Sequence, residues 1–252
     1  MIDSNKIRQF LKIDMDVFTY DVIPSTNEIA RQYLVEHPCD RAVFIARGQT
    51  SGKGRFGRNF YSPADTGIYM TYVFRVEELY SDMLRVTTAS SVAVAKALNC
   101  GVKIKWVNDL YYNEKKICGI LTETVSLEHT YVLIGVGINL TTTIFPYDIK
   151  QKAGALGLAL DKEITIAAIC NNLAQVASNP SSTDYLTYYR SNLMWIGKAI
   201  NYIENGKMHS ATIKGIGNLG ELLVIENNIE KHLYTGDISI CCSDTADGGN
   251  ND

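Results

Sequence analysis

From Gly48 to Arg58 the chain runs Gly48-Gln49-Thr50-Ser51-Gly52-Lys53-Gly54-Arg55-Phe56-Gly57-Arg58, with three cationic side chains in six positions of a glycine-rich stretch. Glycine permits positive φ and removes the Cβ that would hold a ligand away from backbone N–H groups. Lys53, Arg55 and Arg58 add charge-assisted hydrogen bonds, and an arginine can engage two oxygens at once. The chemistry this favours is the wrapping of a carboxylate or phosphate. A solvated hairpin turn with incidental charge is the plain alternative, and three glycines beside three cations count against it.

Gly52, Gly54 and Gly57 also satisfy G-x-G-x-x-G, so commoner loops must be excluded. A dinucleotide-binding loop opens a helix and places an acid about twenty residues later. Glu77 and Glu78 meet that distance, but after Pro63 and Gly67 comes Ile68-Tyr69-Met70-Thr71-Tyr72-Val73-Phe74, an aromatic and β-branched run that predicts a strand. The protein-kinase loop does lie between strands, yet the chain contains neither H-R-D-L-x-x-x-N nor D-F-G. A Walker A loop fails because Gly48 lies one residue too close to Gly52-Lys53 and Gly54 replaces the Ser or Thr.

Three further segments carry polar groups at the ends of apolar runs. Lys105-Trp106-Val107-Asn108-Asp109 combines a lysine, an amide and a carboxylate, and Asp109 suits Mg²⁺ held against a polyphosphate. Taken alone, Asn108-Asp109 is an ordinary turn signal. Lys115-Lys116-Ile117-Cys118-Gly119 places paired lysines at a hairpin, where solvated charge is the usual explanation. Gly135-Val136-Gly137-Ile138-Asn139 fits a buried strand whose glycines allow close backbone approach.

The elements that must position these groups follow from periodicity. Strands are expected at 17–23, 42–47, 67–75, 102–107 and 131–138, with a hairpin of 110–112 and 116–121 about Asn113-Glu114-Lys115. Ser25-Thr26-Asn27-Glu28 after Pro24 predicts a capping box opening a helix to about Glu36. Further helices are expected at 82–99, 163–177 and 182–194. Strands around a few helices without strict β-α alternation give an α+β class. From Gly197 the pattern changes to short strands at 199–203, 211–215, 221–225 and 237–240 separated by Asn205-Gly206, Asn218-Leu219-Gly220 and Asn227-Asn228, which predicts a small β-barrel. Residues 243–252 are polar and glycine-rich and are expected to be disordered.

A chain of 252 residues, 46% hydrophobic and 20% charged, suits one large core or one core with a small appended domain. Its net charge of -3 argues against general binding to nucleic acid or membrane surfaces. Six cysteines without a C-x-x-C pair, and no apolar signal or spanning segment, predict reduced thiols, no structural zinc and a cytoplasmic location.

In this order and company, Ser25-Thr26-Asn27, Gly52-Lys53-Gly54-Arg55-Phe56-Gly57-Arg58, Lys105-Trp106-Val107-Asn108-Asp109 with Lys116-Ile117-Cys118-Gly119-Ile120-Leu121, and Gly135-Val136-Gly137-Ile138-Asn139 resemble the biotin–protein ligases, or biotin–[acetyl-CoA-carboxylase] ligases, over residues 17 to 240. The resemblance implies an α+β, mixed-sheet catalytic domain of the biotin/lipoate ligase type over residues 1–195 and an SH3-like barrel over 196–242. It assigns Ser25, Thr26 and Gln49 to the ureido group of biotin, with Asn27 also among the biotin-binding residues. Gly52, Lys53, Arg55, Lys116 and Gly119 fall to biotin near its activated carboxylate, and Arg58, Phe60, Asn108, Lys116 and Asn139 to the nucleotide. Asp109 would position Mg²⁺, and Lys116, Arg55 and Lys105 would be catalytic.

Two departures stand out: Lys53 occupies a position where the commonest pattern has arginine, and Val107 one where proline is usual. The implied activity forms biotinyl-5′-AMP from biotin and ATP, then transfers biotin to a lysine of a biotin carboxyl carrier domain. About sixteen residues precede the first expected strand, which leaves no room for the DNA-binding module many members carry and counts against repressor activity. A lipoate ligase or octanoyl transferase, lacking here its glycine-triplet signature, and a non-catalytic binder of a biotin-like ligand or carrier protein are the competing readings. An exposed sheet in such a domain can pair with itself, giving a homodimer, or serve the acceptor protein.

Overall fold

Period-two alternation sorts one long strand, β7 (Thr130–Asn139), between two environments in a computed structural model that describes residues 2–77 and 83–241. Val132, Ile134, Val136 and Ile138 enter the main apolar core on one face. On the other face Tyr131 and Leu133 enter a smaller core, and Gly135, Gly137 and Asn139 continue that face with almost no apolar side chain. One strand thus supplies both packing and a bare floor for a site.

β7 sits in a seven-stranded sheet ordered β1 (Asp16–Ile23), β2 (Arg41–Gln49), β3 (Gly67–Val76), β7, β6 (Lys115–Ser126), β5 (Asp109–Tyr112) and β4 (Lys103–Lys105). Only β1 and β2 run parallel, so the sheet is mixed. Its register places Thr71, Gly135 and Leu121 in one row and Tyr69, Gly137 and Gly119 in the next. Helices α3 (Met83–Leu98) and α4 (Lys162–Ser178) pack together over the main core, while Ala30 and Leu34 of α2 (Thr26–Glu36) cover the smaller one.

Local chemistry explains where the elements depart from expectation. A short helix, α1 (Ser4–Phe10), precedes the first strand; Asp3 caps it by accepting from the backbone N–H groups of Asn5 and Lys6, and its one buried residue, Ile7, is too weak a pattern to mark it. Ser25 takes the extended N-cap conformation of α2, but its side chain makes no cap hydrogen bond. The expected capping box does not form, because the Glu28 carboxylate pairs with the Lys53 ammonium at 2.6 Å. The expected strand at 102–107 is cut to Lys103–Lys105, because Trp106 leaves the ladder to donate its Nε1–H to Gly220 O at 2.9 Å. α5 (Leu186–Asn192) starts later than expected: the Ser182 hydroxyl accepts from the Asp184 N–H and holds those residues in a turn. Between β5 and β6, Asn113 and Glu114 both have positive φ, as a two-residue hairpin turn requires.

The C-terminal strands β8 (Ala199–Glu204), β9 (Lys207–Ile216), β10 (Leu222–Glu226), β11 (Ile229–Leu233) and β12 (Ile238–Ile240) form an antiparallel sheet ordered β11-β10-β9-β8-β12, consistent with an SH3-like domain. β11 escapes the sequence reading because it is an exposed edge strand whose Glu230, Lys231 and His232 break the apolar alternation. Ile200, Tyr202, Ile213 and Val224 of this sheet belong to the main core, so the two sheets share continuous apolar packing. The expected helix start at residue 82, Cys242 and the tail 243–252 lie outside the described residues. Among the described residues no helix is long and apolar enough to cross a membrane.

Candidate functional site

At the N-terminal end of α2, the bare half of the large sheet floors a cavity of about 420 Å³. It is walled by the loop from Lys53 to Phe60, the turn at Asn108 and Asp109, the segment from Phe145 to Ala153, and Asp237 before β12. Ser25, Thr26, Asn27, Gln49, Lys53, Arg55, Arg58, Phe60, Lys105, Asn108, Asp109, Lys116, Gly119 and Asn139 all line it. Gly52 does not: a Cβ there would come within 2.6 Å of Phe60 O and 2.8 Å of Ser62 Oγ, so this glycine seats the loop's return behind the cavity.

One end is neutral and closed. The Thr26 backbone N–H donates to Gln49 Oε1 at 2.8 Å, and Gln49 Nε2 donates to Ser62 Oγ at 2.9 Å. Behind Thr26, Thr71 Oγ1 lies 2.8 Å from Thr26 Oγ1 and donates to Asn27 Oδ1 at 2.5 Å. Asn27 Nδ2 donates to Glu123 Oε2 at 2.7 Å, so each end of this amide is already engaged by protein. Asn27 therefore anchors the wall more than it reaches for a ligand.

Gly135 and Gly137 were expected to admit backbone; they admit side chains instead. A Cβ on Gly135 would fall 2.4 Å from Asn27 Oδ1, and one on Gly137 would fall 2.5 Å from Phe60 Cε1. Phe60 also lies over Gly119, where a Cβ would be 3.3 Å from Cε2. Adjacent glycines on facing strands thus seat one aromatic ring as a flat wall of the cavity. At the far end of β7, Asn139 Nδ2 donates to Gly154 O at 3.1 Å, while its buried Oδ1 has no protein partner and remains open to a ligand donor.

The other end is charged. Lys116 Nζ lies 2.7 Å from Asp109 Oδ1. Arg55 donates through Nη1 to Asn108 Oδ1 and through Nη2 to Gly236 O, both at 3.2 Å. Burial pulls the Arg55 guanidinium below its ordinary pKa, and the nearby Asp109 and Asp237 carboxylates oppose that pull. Arg58 and Lys105 converge on the Asp237 carboxylate at 2.7 and 3.2 Å. Burial pushes Asp237 up, but Lys105 and Arg58 outweigh it and hold the carboxyl below its ordinary value. Lys53 lines the same end, half-exposed and paired with Glu28.

Asp237, Gly236, Thr71 and Glu123 were not anticipated. Thr71 and Glu123 carry a faint signal, polar side chains on strand faces otherwise apolar, whereas Asp237 carries none. As for Mg²⁺, no three acidic, cysteine or histidine side chains converge among the described residues. Asp109 lines the cavity with Asp148 and Asp237, the last of them held by Arg58 and Lys105, and so sparse a donor set fits an ion arriving with a nucleotide's own phosphates.

Residues 19–139 match the Biotin/lipoate A/B protein ligase family. The bifunctional ligase/repressor BirA of Bacillus subtilis is 28% identical across 95% of this chain and 79% of its own length. The biotin–[acetyl-CoA-carboxylase] ligase of Mycobacterium tuberculosis is 32% identical across 46% of this chain and 45% of its own length. Among solved structures, the biotin protein ligase from Aquifex aeolicus in complex with biotin and ATP superposes with a TM-score of 0.78 at 22% identity, covering 90% of this chain and 98% of that one.

Proposed function

From the match over residues 19–139 and these relatives, we propose that the chain is a member of the biotin/lipoate A/B protein ligase family and acts as an ATP-dependent biotin–protein ligase. The observation that carries this reading is one cavity with a buried neutral polar end and a cationic end. Biotin has that same division, an uncharged ureido ring joined by an aliphatic arm to a carboxylate. Ser25, Thr26 and Gln49 meet the ring; Arg55 and Lys116 meet the carboxylate. Phe60 and the open Asn139 Oδ1 suit the face and an N–H donor of adenine.

In the first step a biotin carboxylate oxygen attacks the α-phosphorus of ATP, the bond to the bridging oxygen breaks, and pyrophosphate leaves biotinyl-5′-AMP. In the second the ε-amine of an acceptor lysine attacks the acyl carbon, AMP leaves, and the amine loses a proton. Both steps gather negative charge, so cations fixed in place are the catalytic device and no covalent enzyme nucleophile is required. Lys116 would touch both the carboxylate and the α-phosphate, a reading supported by its place in the cavity wall and by Asp109, which holds its ammonium there. Arg55, Arg58 and Lys105 retain the adenylate, and Asn108 steadies Arg55. Asp109 would hold Mg²⁺, which supplies further neutralisation of the phosphates when bound.

The acceptor in this reading is a biotin carboxyl carrier domain, and the catalytic unit comprises residues 1–195 with the small domain at 196–242. As an edge strand of the large sheet, β1 suits pairing with a second copy. Biotin-dependent exchange of labelled pyrophosphate into ATP tests the activity. Exchange with biotin is expected; exchange with lipoate alone would point to a lipoate ligase, and exchange with neither to a binding protein.

A further inference from the structure

A chain of hydrogen bonds behind the neutral end leads to a charge that does not line the cavity. Glu123, on β6, has Oε1 3.4 Å from Arg31 Nη2 and accepts from Asn27 Nδ2 through Oε2 at 2.7 Å. A carboxylate only accepts, so Glu123 fixes the Asn27 amide with its oxygen toward Thr71. That amide oxygen also only accepts, which commits the one hydroxyl hydrogen of Thr71 to it at 2.5 Å. Thr26 Oγ1 then faces two acceptors, Thr71 Oγ1 at 2.8 Å and Gln49 Oε1 at 3.2 Å. Donated to either of these, its hydrogen points into the protein and leaves its lone pairs toward the cavity.

We infer that Glu123 is a positioning residue which, through Asn27 and Thr71, presents the Thr26 hydroxyl to the cavity as an acceptor, so that the neutral end selects a ligand group donating N–H. With the Asn27 amide reversed, its Nδ2 would donate to Thr71, Thr71 would donate to Thr26, and Thr26 could offer its own hydrogen to the cavity. The donor that the acceptor form recognises is a ureido N–H, so this inference rests on the proposed reading of the cavity as a biotin site.

Pyrophosphate exchange measured against both biotin and ATP tests it with Glu123→Leu, Glu123→Gln, Thr71→Val and the Glu123→Leu/Thr71→Val double variant. Loss of one selective hydrogen bond should raise the biotin KM about tenfold in Glu123→Leu and Thr71→Val, with kcat and the ATP KM held within about twofold. Glu123→Gln, whose amide oxygen still accepts, should restore most of the biotin affinity. The double variant should be no worse than either single one, because both cut one chain. An unchanged biotin KM in Thr71→Val, or effects that multiply in the double variant, would overturn the inference, and a purely structural role would lower melting temperature without moving that KM. Should Glu123→Leu fail to fold, the near-isosteric Thr71→Val and Glu123→Gln decide by the same criteria. Wild-type protein without biotin-dependent exchange would instead remove the underlying reading.

Discussion

At the neutral end of the cavity Ser25, Thr26 and Asn27 are 2%, 3% and 5% exposed, whereas at the charged end the Lys53 and Arg58 side chains are 52% and 66% exposed. Thr26 and Asn27 are held by hydrogen bonds that close on other protein atoms in the sheet and loop behind them. The second is held by carboxylates, Glu28 on Lys53, Asp237 on Arg58 and Lys105, and Asp109 on Lys116. A buried polar network is costly to disturb, because any group left unpaired bears its full desolvation cost. An exposed ion pair such as Lys53–Glu28 or Arg58–Asp237 contributes little and changes partners readily. The neutral end is therefore suited to fixed recognition, and the charged end to taking up anions whose charge and position change during a reaction.

The largest expected effect breaks the charged end at its centre. Lys116→Ala should slow biotin-dependent pyrophosphate exchange by 10²-fold or more, about 3 kcal/mol of transition-state stabilisation. Near-normal adenylation by this variant would sink the division of labour. Next, Gly137→Ala puts a methyl where Phe60 Cε1 lies 2.5 Å away, and displacing the ring should cost about 1–3 kcal/mol. The ATP KM should rise more than the biotin KM in that variant; an equal rise in both would mean that Phe60 does not separate the two sites. Arg55→Gly loses the contacts to Asn108 and Gly236 together, and release of the adenylate into solution should increase several-fold. Retention equal to wild type by rapid filtration would remove Arg55 from that role.

The smallest effect concerns the contact between the two sheets. Asp237→Asn should lower the melting temperature by about 2–4 °C, the equivalent of about 1 kcal/mol for a partly exposed pair. Because Lys105 and Arg58 hold the Asp237 carboxyl below its ordinary value of 3.8, its stabilisation is complete above that pH and is lost as pH falls through the lower folded value. Thermal melts of wild type and Asp237→Asn should therefore converge as the pH is taken below 3.8, and a constant gap would show that the carboxylate's charge is not what matters.

Wherever alternation or helical spacing is strong, the elements were legible from the residues alone: Gly67–Val76 and Lys162–Ser178 fall within one residue of expectation at each end. Weak patterns failed for physical reasons. β11 is an edge strand with solvent on its flank, and α1 buries a single side chain. The capping box was a correct local preference overridden by a tertiary charge, since Lys53 reaches Glu28 from another part of the chain.

By itself the sequence determined the chemistry available: the types and spacing of Lys53 to Arg58, Lys105 to Asp109, Lys116 to Gly119 and Gly135 to Asn139 name the cations, the carboxylate and the strands that carry them. Local order is written in short-range preference and period, which a linear pattern records. Only the tertiary structure decided which charges face each other and which hydrogen bonds lie behind the wall. Asp237 meets Arg58 and Lys105, and Glu123 reaches Asn27, because sheet register and the packing of the second sheet bring distant segments within hydrogen-bond range. Gly135 and Gly137 show both sides of this division. Their smallness is written in the chain, but whether backbone, amide or aromatic ring fills the space above them depends on what the fold lays there.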